Sequence, residues 1–176
     1  ALLLIAQTGF DGKIQKIDKV RMDQLIWDTI ETIRKIDSRN NIYLDISMLP
    51  DNPKKLKVLG NEQLLHLAVA NIINNGCKYS NFQQVKVSLG ATDTDVYIII
   101  KDNGIGIPES EMNKIYDPFF RASNTKNYEG YGIGLPLARN IMRMHNGELI
   151  VSSYENLGTT VQLRFPTLFG IKKKKK

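Results

Sequence analysis

Asn61-Glu-Gln-Leu-Leu-His-Leu-Ala-Val-Ala-Asn-Ile-Ile-Asn-Asn-Gly-Cys-Lys-Tyr79 is the stretch on which the reading of this chain turns. Its spacing predicts a helix from near Asn61 to about Tyr79. From Gln63 to Cys77 that helix carries no formal charge, so no face is built for water. A helix apolar nearly all round belongs in the interior, yet this one holds Asn71, Asn74 and Asn75. Asn71 and Asn75 stand four apart and share a face, and Lys78 and Tyr79 continue the stripe one turn on. A buried amide costs free energy unless it is hydrogen-bonded. Such a stripe suits a cleft that holds something oxygen-rich, anionic and flat. The plainer reading, in which these amides satisfy backbone groups of a neighbouring loop, stays open at this point.

Working outward, Asp23 to Ile36 has helical period with Leu25, Ile26, Ile30, Ile33 and Ile36 on one face, and Asp23 reads as its N-cap. Ile42 to Met48 alternates like a half-buried strand, and Asp51-Asn-Pro-Lys-Lys55 is a turn. Val85–Leu89 and Asp95–Lys101 read as strands joined by a polar turn. Residues 103–134 are rich in Gly and Asn and too long for a plain connection, the mark of a functional loop. A third helix, Leu135 to His145, stops at Asn146-Gly147, and Gly147–Ser153 with Thr159–Phe165 form a closing hairpin. Helices mixed with hairpin strands argue for an α+β fold whose largely antiparallel sheet is covered on one face.

The length of 176 residues suits one domain. The formal charge of +6 suggests nucleic acid or anionic lipid, but Lys172 to Lys176 supply five of those charges. The rest of the chain is near neutral, 19 basic residues against 18 acidic. The basic character is a tail, expected to be solvated and disordered, and nucleic-acid binding is not expected. No apolar stretch approaches the ~20 residues that cross a bilayer. Ala1-Leu-Leu-Leu-Ile-Ala6 lacks the flanks of a signal peptide and reads as the end of a helix. The single Cys77 excludes an internal disulfide framework, and with His66 and His145 it makes no metal cluster. A cytoplasmic location is the expectation.

Two glycine-rich stretches flank the long loop. Asp102-Asn-Gly-Ile-Gly-Ile-Pro108 follows directly on an apolar strand, where a carboxylate can accept from a ligand amine and the glycines let backbone come close. Gly130-Tyr-Gly-Ile-Gly-Leu-Pro136 opens a helix, with Pro136 fitting its first turn and free N–H groups suited to phosphate. It lacks the Gly-Lys-Ser/Thr of a P-loop and the βαβ setting of a dinucleotide fingerprint. Between them lies Tyr116-Asp-Pro-Phe-Phe-Arg121. Taken singly, each has a bland reading as an Asx turn, a helix start or a hydrophobic plug.

Their order is specific. Asn71-x3-Asn75-x2-Lys78-Tyr79, Asp102-x-Gly104-x-Gly106, Pro118-Phe-Phe-Arg121, Gly130-x-Gly132-x-Gly134-Leu135 and Gly158-Thr-Thr160 resemble the N, G1, F, G2 and G3 boxes of the catalytic, ATP-binding domain of sensor histidine kinases. That domain shares a superfamily with DNA gyrase, heat-shock chaperones and mismatch-repair ATPases, and the resemblance covers about residues 20–166. It implies a Bergerat fold, a two-layer α/β sandwich whose mixed, mostly antiparallel sheet of about five strands is covered on one face by about three helices. It divides the chain into the end of a preceding dimerisation and phosphoacceptor helix (1–12), the catalytic domain (13–168) and a Lys-rich tail (169–176).

The resemblance also implies roles. ATP and Mg²⁺ are the expected ligands, with Asn75 on the metal and Asn71 assisting at metal-bound water or phosphate. Lys78 contacts phosphate and Tyr79 lies against adenine. Asp102 accepts from the adenine amine, Gly104 and Gly106 allow close approach, and Thr159 supports the adenine end. Residues 122–131 form a mobile lid. Gly130, Gly132, Gly134 and Leu135 bring N–H groups to the phosphates, and Arg121 meets the γ-phosphate as a catalytic group.

Gly76 and Tyr116 depart mildly from the usual Ala and Phe. Neither His66 nor His145 lies in the family's acceptor sequence, so both are expected to be structural and this chain is not expected to phosphorylate itself. Hydrolytic superfamily members carry a Glu four residues before the metal-binding Asn, where this chain has Asn71, which favours phosphoryl transfer to a protein histidine over hydrolysis. The implied partners are the chain's own dimerisation domain in a homodimer and the receiver domain of a response regulator. Two alternatives were weighed, an ATP-sensing module without transfer and an anti-sigma-type serine kinase of the same superfamily.

Overall fold

The computed structural model describes residues 17–168 and residue 170. The expected helix end over residues 1–12 and all but one residue of the 169–176 tail lie outside that range.

Among the described residues, seven strands and three α-helices follow the chain in the order β1 (Asp18–Arg21), α1 (Met22–Ile36), β2 (Ile42–Asp45), β3 (Lys57–Gly60), α2 (Glu62–Tyr79), β4 (Val85–Ala91), β5 (Asp95–Lys101), α3 (Gly134–Met144), β6 (Glu148–Tyr154) and β7 (Gly158–Pro166). The main sheet runs β2-β4-β5-β7-β6, and β1 pairs with β3 in a separate two-stranded ribbon. This is the expected α+β sandwich of five strands and three helices. The ribbon was not foreseen, because four-residue strands with one buried valine each, Val20 and Val58, carry too little pattern to read.

One face of the sheet is apolar in cross-strand rows. Leu44, Val87, Ile100, Val161 and Val151 are successive partners, as are Leu89, Ile98, Leu163 and Leu149. The helices cover this face through Leu25, Ile26, Ile30 and Ile33 of α1, Leu65, Val69, Ile72 and Ile73 of α2, and Leu137, Ile141 and Met142 of α3, all buried. At roughly 25 cal/mol per Å² of apolar area, this shared surface is the dominant force holding the layers together. The strand pairs are antiparallel except β2 with β4. That parallel pair needs a crossover, which α2 supplies.

Local chemistry fixes the ends of the elements. Asn61 caps α2, its Oδ1 accepting from Leu64 N–H at 3.0 Å. Asp23 is not the cap of α1: that helix starts one residue earlier, Arg21 holds the cap position, and the Asp23 carboxylate pairs with the Arg21 guanidinium instead. The strand expected over Ile42–Met48 ends at Asp45, whose Oδ1 accepts from Ser47 N–H at 2.9 Å and turns the chain. His145 is structural, as expected. It is 5% exposed, its Nδ1 lies 2.7 Å from the Ile141 carbonyl, and its Nε2 accepts from Asn61 N–H at 3.0 Å. It therefore ties the end of α3 to the start of α2. His66 is half-buried on α2.

Candidate nucleotide-binding site

The stripe on α2 faces a cleft of about 290 Å³, at the lower end of the range for small-ligand sites. Asn71, Asn75, Lys78 and Tyr79 of α2 line it together with Asp102 and Gly106 after β5, Thr159 of β7, and Arg121, Gly130, Gly132, Gly134 and Leu135 of the long loop and the start of α3. Residues scattered over ninety positions thus converge on one space. Of the candidate residues named from the sequence, Gly104 alone does not line it.

The glycines of the 102–107 loop serve protein contacts. A Cβ on Gly104 would lie 2.4 Å from the Tyr79 carbonyl oxygen, and one on Gly106, at φ +62°, would lie 2.0 Å from that of Tyr154. Close approach is required here, as expected, but by neighbouring backbone. Gly76 packs on Val85, where a Cβ would stand 3.2 Å from its methyl.

Asp102 is 7% exposed at the end of β5. Its Oδ1 accepts from Gly104 N–H at 2.8 Å and from Thr159 N–H at 3.2 Å. Burial raises its carboxyl above the ordinary value, and those two N–H groups oppose the rise. Cys77, buried behind it, has its thiol pushed up to about 11 by burial and then by the Asp102 charge. Among the described residues lining the cleft, Asp102 is the only acid.

The two amides differ. Asn71 Nδ2 donates to the Leu67 carbonyl at 2.8 Å, and its Oδ1 would lie 3.0 Å from a Cβ placed on Gly134, facing the start of α3. The Asn75 amide lines the cleft with no protein partner among the described residues. Two amide oxygens on one wall are hard donors of the kind that Mg²⁺ takes, and they fit that ion as two of several oxygen ligands. No cluster of three or more His, Cys, Asp or Glu suited to a metal occurs among the described residues.

The 122–131 segment is held at both ends of its length. Its first turn, the 3₁₀ helix Ser123–Thr125, is capped by Glu111, whose Oε2 accepts from Ser123 N–H at 3.0 Å. Asn124 Nδ2 donates to the Gly106 carbonyl at 3.1 Å, while its buried Oδ1 has no partner among the described residues. Farther on, Lys78 Nζ donates to the Glu129 carbonyl at 3.0 Å and stands 4.2 Å from the Tyr79 ring centre. The Arg121 guanidinium donates to the carbonyls of Thr125, at 2.7 Å, and Tyr128. Tyr128 meets Tyr79 edge-on, with ring centres 5.2 Å apart. Phe119 N–H donates to the Gly132 carbonyl at 3.0 Å, closing the segment at its base. Glu111, Asn124 and Ser153 were missed by the sequence reading. Each acts on backbone distant in sequence, and none stands in a motif of spacing.

No described helix is long and apolar enough to cross a membrane. Among curated relatives, the chain is 29% identical over 160 residues to the sensor-like histidine kinase SenX3 of Mycolicibacterium smegmatis, covering 88% of this chain and 40% of the relative. It is 30% identical over 168 residues to the adaptive-response sensory kinase SasA of Thermosynechococcus vestitus, covering 93% and 43%. The chain therefore spans about two fifths of the length of these relatives. Among solved structures, a mycobacterial sensor histidine kinase MprB matches with TM-score 0.69 and 26% identity over 87% of this chain and 97% of that one. A family model matches residues 60–168, more than half of the chain, which accordingly belongs to the histidine kinase-, DNA gyrase B- and HSP90-like ATPases.

Proposed function

We propose that residues 13–168 form the catalytic module of a sensor histidine kinase, which binds ATP with Mg²⁺ and donates the γ-phosphoryl group to a histidine on an adjoining dimerisation domain. The observation that carries this reading is the convergence of the α2 stripe, Asp102 and the start of α3 on one cleft that holds no second acid.

The placement of these residues supports the following roles. Asp102 Oδ1 is already bonded to two N–H groups, so its other oxygen is the one to accept from the adenine amine. Thr159 stands beside it, and Tyr79 lies along the base. Asn75, with Asn71, would hold Mg²⁺, which supplies charge neutralisation at the phosphates. Gly134 and Leu135 would present N-terminal N–H groups of α3 toward the phosphates, with Gly130 and Gly132 in the loop that leads into it. Lys78 and Arg121 now donate to lid carbonyls, and a phosphate oxygen is a stronger, charged acceptor for the same groups. In the transfer itself the bond from the γ-phosphorus to the bridging oxygen breaks, a P–N bond forms on the acceptor imidazole, and ADP leaves. With Asn71 in place of an acid and the free oxygen of Asp102 assigned to the adenine amine, no side chain lining the cleft among the described residues is poised to activate water.

The proposed partners are a homodimer through a dimerisation and phosphoacceptor domain, of whose helix residues 1–12 would be the end, and a response-regulator receiver domain, in the cytoplasm. The matched relatives are named as sensor kinases, which weighs against a transfer-deficient ATP sensor or an anti-sigma-type serine kinase. Calorimetric titration with a non-hydrolysable ATP analogue, with and without Mg²⁺ and against a GTP analogue, tests the site. Adenine-selective binding that strengthens with Mg²⁺ is expected, alongside negligible steady-state ATP hydrolysis. No binding by folded protein, or rapid hydrolysis, would overturn the reading.

A further inference from the structure

We propose that Ser153 is a positioning residue for base recognition: its hydroxyl fixes the orientation of the Thr159 hydroxyl and holds the 102–107 loop against it. This rests on the reading of the cleft as an adenine-nucleotide site.

Ser153 itself does not line the cleft, whereas its cross-strand partner Thr159 does. The Ser153 Oγ meets groups from two separate segments. It accepts from Ile107 N–H at 3.0 Å, and it lies 3.0 Å from the Gly158 carbonyl and 2.8 Å from Thr159 Oγ1. A hydroxyl offers one proton and two lone pairs, and Ile107 occupies one lone pair. If the Ser153 proton goes to Thr159 Oγ1, the Thr159 proton is left to point into the cleft. If it goes to the Gly158 carbonyl, Thr159 donates to the remaining lone pair of Ser153 and shows the cleft an acceptor only. The second arrangement uses the Ser153 proton and both of its lone pairs, and in it the Thr159 rotor is set by Ser153.

Removing that hydroxyl does two things at once. Thr159 becomes free to present donor or acceptor, and the Ile107 amide loses its acceptor, loosening the loop that carries Asp102. Asp102 is bonded to the same Thr159 backbone N–H, so the two groups facing the base edge share one support. Purine bases differ in the order of donors and acceptors on that edge. A fixed hydroxyl discriminates among them, because the wrong base leaves a buried polar group unpaired. The phosphate wall at Asn75, Lys78 and the start of α3 makes no hydrogen bond to Ser153 among the described residues.

The test titrates the whole chain and its Ser153→Ala and Ser153→Thr variants with ATP, ITP and inorganic tripolyphosphate in Mg²⁺, with thermal melting as the check on folding. Ser153→Ala is expected to lose about tenfold in ATP affinity, the worth of roughly one net hydrogen bond. Its ATP-to-ITP preference narrows, its tripolyphosphate affinity is unchanged, and Ser153→Thr, which keeps the hydroxyl, restores the wild-type values. If the alanine variant fails to fold, Ser153→Cys, near-isosteric but a weak hydrogen-bonding group, carries the same expectation. Equal losses for ATP and tripolyphosphate, or a threonine variant as weak as alanine, would overturn the proposal in favour of a purely structural serine. Wild-type binding of ATP with an unaltered Ser153→Ala overturns this inference alone. A folded wild type that binds no ATP overturns the nucleotide reading and this inference with it.

Discussion

Replacing Gly106 by Ala attacks the joint between the 102–107 loop and the β6–β7 hairpin. Gly106 has φ +62°, and an added Cβ would stand 2.0 Å from the Tyr154 carbonyl oxygen, 2.6 Å from its carbon and 3.0 Å from Glu155 Cα. All three atoms are backbone, so no side chain can swing aside. An ordinary carbon–oxygen contact is about 3.3 Å, so loop and hairpin must part by on the order of 1 Å. Three hydrogen bonds fix the loop at this point: Asn156 N–H to the Ile105 carbonyl at 2.8 Å, Ile107 N–H to Ser153 at 3.0 Å, and Asn124 to the Gly106 carbonyl at 3.1 Å. Each is worth about 0.5–1.5 kcal/mol net. The left-handed backbone adds about 1–2 kcal/mol for a residue with a Cβ. The expected loss is therefore about 4 kcal/mol, which for a domain of this size is a fall in Tm of roughly 10 °C. Gly134→Ala is the contrast: its backbone is ordinary and its nearest neighbour is the Asn71 side-chain oxygen at 3.0 Å. It should keep stability within about 1 kcal/mol and act on the site alone. Denaturant and thermal unfolding of both variants decide the matter. A Gly106→Ala midpoint within about 3 °C of wild type, or matched by Gly134→Ala, would refute the claim that the glycine is there for backbone contact.

Asp102→Asn should weaken ATP-analogue binding, since it places a donor against the donors on Asp102 Oδ1 or toward the base, and unchanged affinity in a titration would remove Asp102 from the adenine edge. Asn75→Ala should abolish the Mg²⁺-dependent part of binding and Asn71→Ala weaken it less; equal, negligible effects would contradict the metal assignment. For His145, burial holds the imidazole below its ordinary value of 6.5, opposed by its bond to the Ile141 carbonyl. The unfolded chain then takes up the proton first. The stability from this group is fully present above about pH 6.5 and is lost as the pH falls below it toward the depressed folded value. Asp102, with its raised carboxyl, shifts in the opposite sense at lower pH and partly offsets that loss. Melting temperatures of wild type and His145→Gln between pH 5 and 7.5 should show a flatter profile for the variant, and parallel profiles would rule His145 out as the source.

What the sequence made legible were elements with enough length to show a period. The charge-free run from Gln63 to Cys77 announced a buried helix, the alternation of Val85–Leu89 and the apolar run of Asp95–Lys101 announced β4 and β5, and hairpin strands mixed with helices announced a sheet covered on one face. The β1–β3 ribbon escaped because strands of four residues leave no period to see. A mixed sheet was expected, but which of its pairs is parallel, β2 with β4, was not legible. It is decided by the route of the chain through α2, and nothing within Ile42–Asp45 distinguishes a parallel edge from an antiparallel one. Asp23 was misplaced because an acid near a helix start serves either as a cap or as a first-turn charge. The neighbouring Arg21 drew it to the second role.

The candidate site shows the same division between residues and their partners. Spacing on α2 placed Asn71, Asn75, Lys78 and Tyr79 on one wall, because helical geometry turns spacing directly into a face. No such rule connects Lys78 to the Glu129 carbonyl or Arg121 to the carbonyls of Thr125 and Tyr128, since these bonds end on backbone, which has no letter in the sequence. The consequence is physical as well as historical. Two cations and one aromatic contact hold the 122–131 segment over the cleft, so the groups assigned to the phosphates are also the groups that hold the lid. An anion that takes Lys78 and Arg121 replaces neutral carbonyl acceptors with charged ones, and the bonds it gains are the bonds the lid gives up. Glu111 and Asn124 anchor the first turn of that segment independently of either cation. If residues 122–131 act as the lid expected from the family resemblance, that exchange would free residues 126–131 while leaving Ser123–Thr125 in place, and the hinge would fall inside the segment rather than at its ends.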